Sequence, residues 1–84
     1  MKKNNMKTTA KQKLVNALPS RGYIDVEEIK TWGYDENIEI TYNPYTTLFT
    51  VNGFGLNICS EYDAMFNRYL IKCSSLKKLL KESN

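Results

Sequence analysis

Apolar and polar residues alternate in pairs along residues 41–60, and no charged side chain interrupts them, although 25% of the chain is Asp, Glu, Lys or Arg. A period of two is the pattern of strands with one buried face, and it differs from the unbroken apolar run of a membrane span. Asn52-Gly53 sits between two such runs, and this dipeptide favours a two-residue type I′ turn because both positions need positive φ. The turn pairs Val51 with Phe54, Phe49 with Leu56 and Thr47 with Ile58. A four-residue loop at Asn43-Pro44-Tyr45-Thr46 pairs Tyr42 with Thr47, Ile40 with Phe49 and Ile38 with Val51. Both turns place the same residues on one face, since a one-residue slip would invert the set. The expected element is an antiparallel meander burying Ile38, Ile40, Tyr42, Phe49, Val51, Phe54, Leu56 and Ile58.

Helical periods flank this stretch. Thr8 or Thr9 can cap a helix whose Ala10, Leu14, Ala17 and Leu18 form one stripe, ended by Pro19. Asp25 followed by Glu28 is a capping-box-like pair opening a short helix over 26–32, with Val26, Ile29 and Trp32 inward and Gly33 as its left-handed C-terminal residue. Ser60 with Asp63 reads as the start of a third helix, in which Tyr62, Met65, Phe66, Tyr69, Cys73, Leu76 and Leu80 recur every three or four residues and cover the sheet. The Ser74-Ser75 pair leaves its continuity open. The predicted class is α+β, a small three-stranded antiparallel meander with helices packed on one face, in the order α-α-β-β-β-α. Residues 1–9 are expected to be a frayed basic terminus and 10–84 a single domain. No internal repeat is visible.

With 84 residues the core is thin, and a single core of this size supplies about 3 to 5 kcal/mol, which favours a partner or a second copy. The only cysteines are Cys59 and Cys73, and histidine is absent, so a four-ligand zinc site is not expected, nor any cofactor. The apolar run that follows the basic start, 14–18, is short and broken by Asn16, whereas a signal peptide needs about 7 to 15 apolar residues. The expectation is a cytoplasmic protein with free thiols and no membrane segment. Without histidine or a glycine-rich phosphate loop, and with Cys73 in an apolar stripe, the reading is non-enzymatic.

Two binding readings follow. The first is protein binding. The sheet face opposite the core carries Thr41, Leu48, Thr50 and Asn57 with almost no charge, its edges lack the charges that usually blunt edge strands, and Tyr23, Tyr34 and Tyr45 sit in or near connections. A homodimer through a sheet edge belongs to the same reading. The small size and a composition rich in Lys, Asn, Ile and Tyr make the chain similar in type to inhibitors encoded by phages and mobile elements, the anti-CRISPR and anti-restriction proteins, which act by blocking a host protein complex. The second is nucleic-acid binding through Lys2, Lys3, Lys7, Lys11 and Lys13. The helix, turn and Tyr23-Ile24-Asp25-Val26-Glu27-Glu28-Ile29 of residues 10–33 resemble the opening of winged helix-turn-helix domains, a resemblance that implies a transcription-regulatory module. It departs after Gly33, where that family places a basic recognition helix and this chain is acidic and strand-like.

Overall fold

A computed structural model describes residues 9–82. Helix α1 (Ala10–Ala17) is capped by Thr9, whose hydroxyl accepts from the Gln12 N–H, and leads through a turn to strand β1 (Tyr23–Asp25). Asp25 ends β1 and caps α2 (Val26–Asp35), its Oδ1 accepting from the Glu27 N–H at 2.9 Å. Strands β2 (Ile40–Asn43), β3 (Leu48–Val51) and β4 (Phe54–Asn57) follow. Strands β5 (Glu61–Asp63) and β6 (Arg68–Lys72) precede α3 (Cys73–Glu82). The class is α+β, but the strands form two antiparallel sheets rather than one meander: β2-β3-β4, and β1-β6-β5.

The expected lid helix over Tyr62 to Leu80 is therefore only half present. Residues 61–72 form a hairpin, and the helix begins at Cys73. The spacing of Tyr62, Met65, Phe66 and Tyr69 fits a helix, but the alternation Tyr69, Ile71, Cys73 fits a strand equally well, and local turn chemistry decides. Asp63 Oδ1 accepts from the Met65 N–H at 3.1 Å, which bends the chain, and Asn67 takes the left-handed conformation at φ 50°. Strand β1 then gains a partner, Ile24 facing Ile71 across the sheet.

This hairpin repeats the one before it. Strands and loops at 41–50 and 61–70 have the same lengths and pairings: Tyr42 faces Phe49 as Tyr62 faces Tyr69, and Asn43 faces Leu48 as Asp63 faces Arg68. In both, a side-chain oxygen of the Asx residue before the loop accepts the N–H of the second loop residue, and the fourth loop residue, Thr47 or Asn67, has positive φ. The chain thus contains a structural repeat that its sequence conceals, since few residues are identical between the copies.

Within the first sheet, the turn at Asn52-Gly53 and the β3–β4 pairs are as predicted. The β2–β3 register is shifted by two residues from the expected one. The loop is 44–47, and Ile40 faces Val51 while Tyr42 faces Phe49. A shift of two keeps every side chain on its face, so the predicted buried set survives the wrong pairing. Ile38, Ile40, Phe49, Val51 and Ile58 are buried, with Tyr42, Phe54 and Leu56 half-buried at its margin.

The core continues through Leu14, Leu18, Val26, Ile29, Ile71, Cys73, Leu76 and Leu80. Helix α2 lies against strands of both sheets, and α1 packs on α3. Gly33 is not a left-handed cap: it lies inside α2, where an added Cβ would stand 2.8 Å from the Ile38 carbonyl oxygen and 2.9 Å from Ile40 Cδ1. The left-handed position belongs to Asn37, at φ 61°. The Ile38 N–H reaches back to the Gly33 carbonyl and the Asn37 N–H to that of Tyr34, the two bonds of a Schellman end.

Candidate interaction surface

The two hairpin loops present large apolar side chains that take no part in the core. Tyr45 is 91% exposed, Met65 83% and Phe66 66%. Each loop is held from within. In the first, Asn43 Oδ1 accepts from the N–H groups of Tyr45 (2.9 Å) and Thr46 (3.4 Å), and the Asn57 amide donates to the Thr46 carbonyl at 3.2 Å. In the second, Asp63 receives the Met65 N–H on one oxygen and pairs with Arg68 Nε at 3.0 Å through the other, while Tyr62 OH donates to Asn67 Oδ1 at 2.6 Å. The Arg68 guanidinium also lies 4.9 Å from the centre of the Phe66 ring, a cation–π arrangement that supports that side chain from one side.

The loops are neighbours. Pro44 of the first and Asn67 of the second line one cleft of about 320 Å³, floored by Tyr42 and Tyr69 and bordered by Asp25, Glu27 and Arg68. Bonds from Tyr42 OH to the Ile58 carbonyl (2.7 Å) and Ser60 Oγ (3.1 Å) fix the ring on which this cleft rests.

The residues predicted for protein binding are divided among separate places. Thr41, Leu48, Thr50 and Asn57 do share the outward face of β2-β3-β4, but Thr41 and Thr50 hydrogen-bond to each other at 2.6 Å and Asn57 is occupied by the loop. Tyr45 stands on the first loop. Tyr34, 86% exposed, lines a cleft with Asn52 at the other end of that sheet. Tyr23 lies on β1 of the second sheet and donates to Glu61 Oε2 at 3.2 Å; the Glu61 charge, and then this bond, push its phenol up from the ordinary value. The spacing of Met65 and Phe66 predicts a helix stripe, and the structure places them on an exposed loop instead. The signal that marks them is the match of Asp63 and Asn67 to Asn43 and Thr47, turn residues at the same spacing.

Of the lysines expected for nucleic acid, Lys2, Lys3 and Lys7 lie outside the described residues. Lys11 and Lys13 are on α1, with the Lys11 ammonium 4.0 Å from the centre of the Phe54 ring. After α2 the chain enters β2, so strands stand where the winged-helix resemblance calls for a recognition helix. Packing of α1 on α3 places Lys11 and Lys81 on one cleft, Lys77, Lys78 and Lys81 line another, and Lys77 Nζ donates to the Leu18 carbonyl at 3.2 Å. Cys73 is fully buried; desolvation pushes its thiol up, with Lys77 pulling it partly back and Glu28 adding to the rise. Cys59 is exposed, and both thiols are free. Among the described residues no group of His, Cys, Asp or Glu is arranged to hold a metal, and no helix is long and apolar enough to cross a membrane. Comparison with protein-family models, curated proteins and solved structures returns no match.

Proposed function

We propose that this chain is a non-enzymatic protein-binding module whose contact surface is the pair of hairpin tips. The observation that carries the reading is the exposure of Tyr45, Met65 and Phe66 on loops whose shape is set by other residues. Exposed aromatics carry a large apolar area on few rotatable bonds, and the flexible thioether of Met65 adapts to irregular apolar surface, which suits a folded protein with an apolar groove as the partner. The narrower form, a phage or mobile-element inhibitor that acts in the cytoplasm by blocking a host complex, rests on size and composition.

The test is capture from lysate by the wild type and by a triple variant, Tyr45→Ser, Met65→Ser and Phe66→Ser. These positions are solvated, so unfolding should shift by no more than about 0.5 kcal/mol each. Loss of a stoichiometric partner, equivalent to at least about 2 kcal/mol, is the expected outcome. Undiminished capture by a folded triple variant would remove the tips from consideration.

A second reading is favoured by the juxtaposition of α1 and α3, which brings Lys11 and Lys81 to one cleft beside Lys77 and Lys78. Nucleic-acid binding there would weaken steeply with salt, and replacing Lys77, Lys78 and Lys81 by Gln would abolish it without affecting the tips.

A further inference from the structure

Two sheets of three strands leave four edges, and three of them are protected. Strand β1 has three residues, ends in Asp25 and runs directly into α2; β5 has three residues and carries Glu61 and Asp63. Strand β2 lies between Glu39 and Pro44 with α2 packed on it. Strand β4 has none of these devices in its own residues, although the Lys11 ammonium of α1 lies 4.0 Å from the centre of the Phe54 ring at the turn end of the strand. Phe54-Gly55-Leu56-Asn57 contains no charge and no proline, and the nearest charged residues in sequence are Glu39 and Glu61. An open edge of this kind is a template for another strand.

Its free hydrogen-bonding groups follow from the turn. In a two-residue hairpin the residues flanking the turn exchange backbone bonds, so Phe54 bonds to Val51, and by alternation Leu56 bonds to Phe49. The Ile58 N–H to the Thr47 carbonyl, at 2.9 Å, continues this series. The N–H and C=O groups of Gly55 and Asn57 therefore point to the open side. We infer that β4 pairs antiparallel with β4 of a second copy about a twofold axis at Leu56, giving a continuous six-stranded sheet. This register is the one that places Gly55 opposite the partner's Asn57 and Asn57 opposite the partner's Gly55, so four outward N–H groups meet four outward carbonyls across the axis.

Side chains agree with it. An antiparallel pair keeps facing residues on the same side of the sheet. Leu56, half-buried at the margin of the core face, meets the partner's Leu56, and Phe54 meets the partner's Ile58. On the outer face Asn57 comes opposite the partner's Gly55, which has no side chain of its own and is covered by Leu48, whose Cδ1 lies 3.2 Å from where a Cβ would stand. No like charges meet, because the strand has none.

The experiment is sedimentation equilibrium from micromolar to millimolar concentration, with amide exchange measured at both ends of the range. The expected mass rises from the chain's 9.8 kDa toward twice that value, and the Gly55 and Asn57 amides become protected as it rises. Asn57→Pro removes one outward N–H per strand, a change an edge strand accepts, together with the side-chain amide that donates to the Thr46 carbonyl; it should leave a folded monomer, while Asn57→Ala, which removes the amide alone, should still associate. The inference is overturned by a monomeric mass at millimolar concentration, which would leave the edge to a different protein. It is equally overturned by a dimer in which those amides stay unprotected, or by a folded Asn57→Pro variant that associates like the wild type. Loss of partner capture by the hairpin-tip variant has no bearing on this result, so the two readings fail separately.

Discussion

The hairpins at 41–50 and 61–70 share one backbone plan and differ in what their strands do with it. Phe49 in the first is fully buried at the centre of the core, while its counterpart Tyr69 is half-buried, its ring tilted against that of Tyr62 with the centroids 5.1 Å apart. The first hairpin is a load on which α2 and the sheet depend; the second is tied down by polar links, Arg68 to Asp63 and Tyr23 to Glu61. The same turn geometry thus serves two kinds of stabilisation, one by exclusion of water and one by side-chain hydrogen bonds at the surface.

The largest effect expected from this contrast is at the paired aromatic positions. Phe49→Ala should cost about 3 to 5 kcal/mol, comparable to the whole stability of so small a core, and give a largely unfolded chain by circular dichroism. Tyr69→Ala should cost about 1 to 2 kcal/mol and leave a cooperative transition in urea. Equal losses would mean that the two sheets share the core evenly.

The next effect is at the left-handed loop residue. Thr47 holds φ 56° despite its branched Cβ, whereas Asn67 holds φ 50° with a residue type suited to it. Thr47→Asn should therefore stabilise the protein by about 0.5 to 1 kcal/mol, and Asn67→Thr should destabilise it by at least as much, because it also removes the Tyr62 hydroxyl's acceptor. A denaturation midpoint that falls on Thr47→Asn would show that the Thr47 hydroxyl, which donates to the Thr46 carbonyl at 2.6 Å, outweighs the backbone strain.

The smallest effect is the pH dependence of the second hairpin's tie to β1. Tyr23 has its phenol raised above the ordinary value of 10.0 by Glu61, so the stabilisation from its proton is fully present below that value and is lost as pH rises through the higher folded one. The difference in melting temperature between wild type and Tyr23→Phe should be small and should vanish in that alkaline range. A difference that persists there would assign the contribution of Tyr23 to packing.

The contrast also accounts for how much of the molecule was legible. The first hairpin could be read because Ile40, Phe49, Val51 and Ile58 alternate with polar residues and because Asn52-Gly53 has one dominant turn. Its β2–β3 pairing was misread by two residues, a slip to which a period of two is blind. The second hairpin was hidden because its exposed tip is apolar: Met65 and Phe66 completed a helical stripe that Asp63 and Asn67, as turn residues, contradicted. Gly33 was identified as special for the wrong reason, since a left-handed end and a close approach both call for glycine and only the position of Ile38 and Ile40 separates them. At the candidate surface Tyr45 was legible from its place beside Pro44. Met65 and Phe66 were not, and of the predicted sheet-face residues Thr41 and Thr50 bond to each other and Asn57 to the adjacent loop.

In both hairpins the bend is made by the residues at the loop's margins, Asn43 and Thr47 or Asp63 and Asn67, and the crest residues contribute mainly their backbone, the Phe66 ring beside Arg68 being the exception. Positions 45, 46 and 65 are therefore released from the demands of folding, and 66 nearly so. Substitutions there can accumulate with little effect on the fold, so under the proposed binding role the crests are where variants of this chain would change what they contact while the frame beneath stays unaltered.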